Sequence, residues 1–522
     1  MPCYLKTLFK PLLTTFGKLL LSRKTLLPIA VAAAVSGCAG APTNLGHREV
    51  DHLVEQRGRP IPSGSAQTLI DSLLSETLKP ETAVALALAN NHELAIEYAY
   101  LGLGATELQA AGRIRNPGFA AEILHPNRSD ERNQLGFGLV VPLTDLLTLP
   151  ARKRLATAQF AALRQEVGAS VLDTASAAER AYYDYVFAQQ KTAVQQQLAR
   201  AAETALQLAE RFYRAGNISP REFALAQSAA AEQILKSLDA KRAEAHARGV
   251  LAGVLGVAVD GSWQTIGQLP EPDGVEHSLK ELTTLAAQSR LDLAAAKARA
   301  ATLADQLRLT DRMSSTGEID IGLAFEKESD GAELFGPVLE WEVPAFSRNQ
   351  PALIRGRAEL EAAVIEHRKV AIEVNNQVHL AHARLISAKA MADTYRRQLI
   401  PARVAATDRA QEEANFMLIG SFELIQIKQN EYAGYLGYLA AVRDYWLAHS
   451  ELRQAVGNRL PGRTTSQSSP VDLGALFRPQ TPSPHEAHKA HKAHEAHEAH
   501  EAHKHSKQAR ENQHTTTPKT GQ

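Results

Sequence analysis

The sequence predicts a mainly α protein with a small β part. In it one unit, a strand hairpin leading into a long antiparallel coiled-coil hairpin, is written twice. Three observations predict this. Aromatic residues make up only 6 % of the chain, and Ala, Leu, Gln, Glu and Arg dominate, which is the composition of long helices. Two separate landmarks recur at nearly one offset: Pro142 and Pro344, 202 residues apart (344 − 142), and Gly216 and Gly420, 204 apart (420 − 216). Finally, hydrophobic period switches from helical to two and back in the same order in each half.

Each copy opens with a helix, over about 81–113 and about 279–312, whose apolar residues recur at three- and four-residue steps. Two short strands follow. In the second copy Ile319, Ile321, Leu323 and Phe325 alternate with Glu318, Asp320, Gly322 and Ala324, and the return strand alternates Leu339, Trp341 and Val343 with Glu340 and Glu342. In the first copy Leu135, Phe137, Leu139 and Val141 alternate with Gly136, Gly138 and Val140. Period two means one apolar face and one polar or small face. Next comes a very long helix: Ala151 to Ala215 holds no proline, and its 65 residues would reach roughly 100 Å. The second runs from Ala352 to about Ile419, with a kink expected at Pro401. After each glycine a shorter helix returns, over about 221–256 and 421–457. The two shorter helices of each copy together match the length of the long one, so stacked end to end they would flank it. Four strands have two free edges, and closing them into a barrel takes several copies of the chain.

The N-terminus predicts export. Lys18, Arg23 and Lys24 precede the apolar stretch Leu26–Val35 and the small-residue run to Cys38, a signal peptide too short to span a membrane stably. Val35-Ser36-Gly37-Cys38 resembles a bacterial lipobox, which makes Cys38 the expected lipidation site, and Ala39, not Asp, favours sorting to the outer membrane. Cys3 leaves with the signal, so the mature chain would carry no disulfide and no thiolate metal site. Its 485 residues (522 − 37) hold 52 Lys and Arg (57 − 5) against 57 Asp and Glu, with no nucleic-acid footprint. No apolar run of about 18 residues follows the signal, so no membrane-spanning helix is expected. The predicted layout is a signal peptide (1–37), a lipidated extended linker (38–65), two structural repeats (66–270 and 271–460) and a disordered His-rich tail (461–522).

Strand hairpin, long helix, glycine-centred turn and returning helix, duplicated behind a lipobox, resemble the outer-membrane efflux proteins of the TolC family over about residues 65–460. The resemblance implies a homotrimer: an α-barrel tunnel in the periplasm topped by a twelve-stranded transmembrane β-barrel in outer-membrane lipid. It implies a passive conduit docked to a periplasmic adaptor (a membrane fusion protein) and an inner-membrane RND-type pump. Carried over to this sequence, Gly216 with Ser219 and Gly420 with Ser421 form the periplasmic tip turns, where glycine allows the left-handed backbone of a reversal. Glu222 and Glu423 become candidate gate residues, and Gln426 stands where a second acid is common. A reading of both glutamates as solvated helix N-terminal acids is equally open. Trp341 and Phe335 fit an aromatic girdle or packing against the helical shoulder. A non-channel coiled-coil lipoprotein is the alternative class, and it has no use for the alternating strands. An enzyme reading finds no nucleophile motif, phosphate loop or ordered ligand set in the helical body.

From Pro484 the chain repeats histidine every third residue: His485, His488, His491, His494, His497, His500 and His503, then His505. Imidazoles suit Zn, Ni, Co and Cu(II), and the row predicts weak, low-specificity metal binding rather than a required cofactor. On a helix each three-residue step turns 300°, so the row drifts and no rigid site holds all of them. The tail tilts the expected cargo toward heavy-metal cations, with drugs or organic solutes as the alternative.

Overall fold

The computed structural model of the chain describes residues 44–59, 61, 66–127, 132–272, 277–344, 349–457, 460 and 471. Two compact units emerge, one drawn from Met1–Tyr395 with Leu436–Ser469, the other from Arg396–Tyr435 with Pro470–Gln522. Cys38 and the histidine run lie outside the described residues.

In the first unit, the segment expected to be an extended linker instead carries a helix, α1 (His47–Glu55). Val50 and Val54, four residues apart, are fully buried, so α1 presents one apolar stripe to the body. It enters through Gly46 (φ 88°), where an added Cβ would come within 2.6 Å of the Phe160 ring. His47 packs on Tyr98, with ring centroids 4.8 Å apart, and the Tyr98 hydroxyl donates to Asp51 (3.2 Å). Beyond α2 (Ala66–Ser75), the helix expected over 81–113 is two helices, α3 (Pro80–Asn90) and α4 (His92–Ala111). Asn91 is extended and its side chain caps α4, accepting from the Leu94 N–H (2.9 Å). The helix expected over 279–312 likewise breaks at Arg290, into α7 (Leu279–Ser289) and α8 (Leu291–Thr316).

Both breaks have one cause. A helix C-terminus leaves carbonyls unpaired, and a donor brought in from elsewhere satisfies them. The Asn90 and Asn91 amides donate to Val254, Leu255 and Gly256 at the end of α6 (Pro220–Leu255), and Arg290 donates to Gln454 and Ala455 at the end of α11 (Ser421–Val456). The left-handed glycines that close these helices, Gly256 (φ 69°) and Gly457 (φ 66°), are 201 residues apart (457 − 256).

Helix α5 (Leu143–Arg214) runs 72 residues, about 108 Å, and starts eight residues before the predicted Ala151, with Pro150 inside it. Its partner α6 packs back along it through small residues, and the pair is pinned by a buried Gln233–Gln195 hydrogen bond (2.6 Å) and by Thr192 donating to the Ala240 carbonyl (3.1 Å). Helix α8 pairs with α9 (Gln350–Thr394), which buries Val374, Val378, Ala381 and Leu385 on one face.

The two repeats meet at mid-length of α5, where Tyr182, Tyr183, Tyr438, Leu439, Tyr445 and Trp446 are buried. Inside this layer lies the carboxylate of Glu179. Arg59 (2.7 Å) and Arg453 (3.2 Å) reach it, and Ser450 donates to it (3.0 Å). Burial alone would raise its pKa, but the two guanidiniums outweigh burial and hold it at about 2. The N-terminal segment, the first repeat and the second repeat thus share one ion network.

Around Pro401, where a kink is expected, the helix departs from α geometry. A π-helical turn, Tyr395–Leu399, precedes α10 (Ile400–Asn415). Proline offers no N–H and its ring crowds the carbonyl four residues back, and the wider turn accommodates both.

Candidate channel surfaces: the sheet face and the hairpin tips

Strands β1 (Gly118–Leu124), β2 (Gln134–Pro142), β3 (Glu318–Lys327) and β4 (Glu333–Glu342) form one antiparallel sheet in the order β1-β2-β3-β4. The register pairs Phe119 with Leu139, Phe137 with Phe325, and Phe325 with Phe335. Every predicted apolar position therefore falls on the same face, joined by Phe119 and Ile123 of β1. That face is bare: Phe119, Phe335 and Leu339 are 70 %, 73 % and 67 % exposed. Across the middle of the sheet Phe119, Phe137 and Phe325 stack in a row (centroids 6.3 and 6.4 Å apart), and the Lys327–Glu333 ion pair (2.7 Å) closes the end of the β3–β4 hairpin. At the helical end Trp341 keeps its ring half exposed while its indole N–H donates to the Thr316 carbonyl (3.1 Å), so it touches the shoulder and the outer face together. Eight residues separate the Lys327 row from the Ile319 row, about 26 Å along the strand and roughly 20 Å after a barrel-like tilt.

The opposite face is mostly small and acidic, with Leu124, Val140, Leu334 and Val338 also on it. Gly136, Gly138, Gly322, Ala324 and Gly336 alternate with the apolar set, and a Cβ on Gly322 would lie 2.5 Å from the Leu139 carbonyl oxygen. Its charged residues are Glu122, Glu318, Asp320, Glu326, Glu340 and Glu342; among the strand residues no Lys or Arg shares the face. Thr144 fixes the corner into α5 by accepting from the Ile319 N–H (2.7 Å). Arg115 pairs with Asp145 beside it and, with Arg152, holds that carboxyl below its usual range.

The tips correct one expectation. The first turns at Gly216 (φ 77°) as predicted, but in the second Gly420 has an ordinary backbone and the left-handed residue is Met417 (φ 60°). The hydrogen bonds show the true alignment. Gly216 N–H reaches Tyr213 and Asn217 N–H reaches Phe212, as Met417 N–H reaches Ala414 and Leu418 N–H reaches Glu413. The offset is 201 (417 − 216), equal to that of the closing glycines, so the glycine pairing read from the sequence was three residues out of register. Gly420 corresponds instead to Ser219.

The same alignment makes Glu222 and Glu423 equivalent, and their surroundings differ. Glu222 sits in a capping box: Ser219 N–H and Oγ–H donate to its carboxylate (2.7 and 2.8 Å), and Ser219 Oγ accepts from the Glu222 N–H. Those hydrogen bonds lower its pKa. Glu222 thus caps its own helix. Glu423 has Gly420 at its cap position, whose carbonyl accepts the first helical bonds, so its exposed carboxylate has no side-chain cap to engage. Ser421 opens α11, and Gln426 lies one turn beyond Glu423, also exposed. Tyr213 stacks on Phe223 at the first tip (4.8 Å), whereas the second exposes Phe416, Met417 and Leu418 in sequence. Among the described residues no group of three His, Cys, Asp or Glu side chains is placed to hold a metal, and no helix is long and apolar enough to cross a membrane.

Residues 83–257 match the family model described as outer membrane efflux protein. No curated protein sequence gives a significant match. Among solved structures, the fold is similar to that of CusC, studied for folding and transmembrane channel formation (TM-score 0.60, 14 % identity, 73 % of this chain and 92 % of that one). It is similar to the Campylobacter jejuni CmeC outer membrane channel (0.60, 14 %, 73 % and 86 %) and to the outer membrane protein VceC of Vibrio cholerae (0.57, 15 %, 75 % and 96 %). Identities this low carry the fold alone. Residues 83–257 thus carry the likeness to outer membrane efflux proteins, and the shared fold extends across most of the chain.

Proposed function

We propose that three copies of the chain assemble into an outer-membrane efflux channel, a passive conduit for solutes delivered by an inner-membrane RND-type pump through a periplasmic adaptor. The observation that carries this reading is the sheet. It has one bare apolar face about 20 Å tall, one small and acidic face, and a free edge at β1 and at β4. An isolated sheet of this kind is exposed to water on its apolar side and to aggregation at its edges. Closure of three sheets into twelve antiparallel strands removes both problems, with lipid outside and the small face around a lumen. Four strands per copy keep the junction between copies antiparallel. The long hairpins continue the barrel as a periplasmic tunnel, and Cys38 anchors each copy to lipid.

The cargo we favour is a heavy-metal cation. Six carboxylates and no cation on the lumenal face favour positive solutes electrostatically. The exposed Phe416–Leu418 tip suits an adaptor contact, and of the candidate gate residues Glu423 is the better placed, because the Glu222 carboxylate is occupied by its own cap. The test is conductance in planar bilayers under a KCl gradient. A cation-selective channel is expected; a protein that stays monomeric and conducts nothing would leave the coiled-coil lipoprotein as the reading. Export assays with zinc, cobalt and an organic dye then separate metal from organic cargo.

A further inference from the structure

A polar groove lies beside the Glu179 network and serves neither the sheet nor the tips. It measures about 500 Å³, is open at its mouth, and sits where the stretch after α1, the middle of α5, the break at Arg290 and the end of α11 meet. Four arginines line it, Arg57, Arg59, Arg290 and Arg453, with the acids Asp173 and Asp292. Glu179, behind the lining, takes Arg59 and Arg453, and Asp292 takes Arg290 (2.5 Å). The Asp173 carboxylate accepts from the Gln454 amide (2.7 Å). Four guanidiniums against three carboxylates leave one positive charge, and it falls on Arg57. The Arg57 Nε and Nη1 donate to the Ser289 and Leu53 carbonyls (both 2.8 Å), and among the described residues no carboxylate pairs with it. Burial alone acts on its pKa and lowers it, the mark of a cation without a counter-ion. Its Nη2 amino group meets no protein acceptor among the described residues, and Arg59 meets Glu179 through Nη2 alone. Gly58 sets the two side by side. At φ 74° it closes α1 in the Schellman pattern, Gly58 N–H to the Glu55 carbonyl (2.8 Å) and Arg59 N–H to that of Val54 (3.3 Å), and the arginines flanking it enter one groove.

We propose that Arg57 and Arg59 hold a small tetrahedral oxyanion of the phosphate or sulfate class in this groove, where it supplies the missing negative charge and ties the N-terminal segment to both repeats. A guanidinium fork matches the oxygens of such an ion through paired, charge-assisted hydrogen bonds. A tetrahedral ion has enough oxygens to meet two forks at once, which a planar carboxylate has not. The site lies within one copy of the chain and does not rest on the channel reading.

The experiment uses the full-length protein, with inorganic phosphate as the probe. Titration calorimetry at pH 7.5 and constant ionic strength should give one saturable phosphate per chain. Arg57→Gln should weaken binding by about tenfold or more, the worth of a charge-assisted hydrogen bond. Arg242→Gln, on the exposed face of α6, should leave it within about twofold. Asp173→Asn removes a negative charge from the groove while keeping an acceptor for Gln454. It should tighten binding by about threefold or more, a gain that misfolding cannot produce. No saturable binding by the wild type, equal affinity in Arg57→Gln, or weaker binding in Asp173→Asn overturns the proposal. Competition then identifies the source. Sulfate should displace phosphate at comparable concentration and acetate only at about tenfold higher. Glycerol phosphate, which carries the ester of a lipid headgroup, should bind no tighter than the free ion. Acetate competing as well as sulfate, or glycerol phosphate binding more tightly than phosphate, overturns the assignment to a free tetrahedral anion.

Discussion

Glu179→Gln should destabilise the protein by about 3–5 kcal/mol while leaving its shape unchanged. The side chain is nearly isosteric, but its charge is shared by Arg59 and Arg453, whose side chains are 12 % and 21 % exposed. Removing one partner of a buried ion cluster leaves uncompensated charge, which costs about 3–5 kcal/mol. An independent route agrees. Displacement of the carboxyl from 4.5 to about 2, at 1.36 kcal/mol per unit, is worth about 3 kcal/mol. At about 1 kcal/mol/K of unfolding entropy for a chain of this length, the midpoint falls by about 3–5 °C. The pH dependence has a fixed sign. A depressed carboxyl contributes fully above pH 4.5 and loses its contribution as pH falls toward 2, so the gap between wild type and variant should close over that window. Melts followed by circular dichroism at pH 7 and pH 3 measure both effects. Adding Arg59→Met to the variant should cost less than Arg59→Met alone, since the arginine it removes has already lost its partner. A variant melting within 1 °C of wild type at pH 7, or a gap as wide at pH 3 as at pH 7, would refute the reasoning.

Three further outcomes follow from the sheet and the tips. Met417→Gly relieves a left-handed non-glycine residue and should slow amide exchange across 412–424 through a gain of about 1 kcal/mol; faster exchange would mean that Met417 is not strained. Ser219→Ala removes the cap of α6 and should speed exchange at Phe223 and its neighbours, by about 1 kcal/mol of local stability, with no change at the uncapped second tip. Leu323→Arg and Ala324→Arg alter adjacent residues on opposite faces of β3. The first puts a charge in the bilayer, at about 2–4 kcal/mol, and should cut the yield of membrane-extracted trimer, while the second should preserve trimer and lower cation conductance. Equal loss of trimer in both would argue against a lipid-facing surface.

How much of this was legible in the sequence follows the range of the forces involved. The strands were, because alternation is a local record of one buried or lipid-facing side: Leu135 to Val141 and Ile319 to Phe325 sit where their period put them. Strand β1 was hard to see, since Ala121 between Phe119 and Ile123 weakens the alternation. The first long helix was visible in the proline-free run from Ala151 to Ala215, and the return helices matched to within a residue. The breaks at Asn91 and Arg290 were not, because their cause is the end of another helix some 160 residues away. The tip was misaligned for a similar reason: glycine is the usual left-handed residue, and only the hydrogen bonds reveal that Met417 carries that role. Glu179 was invisible as a keystone, since Arg59 and Arg453 lie 120 and 274 residues from it. The Ser219–Glu222 spacing, by contrast, is a capping box legible from sequence alone, although Glu222 is read there as either a gate residue or a helix N-terminal acid and the box itself is not named.

The central claim, that the sheets of three copies close into one barrel, is tested most directly by cross-linking the two free edges. Ala120→Cys on β1 is combined in turn with Gly336→Cys, Val338→Cys or Glu340→Cys on β4, all on the small face, and membranes are oxidised before denaturing electrophoresis. The account predicts that at least one pair gives covalent dimers and trimers, with no larger species and none from either single variant. Monomer at every pairing, or an open ladder beyond three copies, would contradict it.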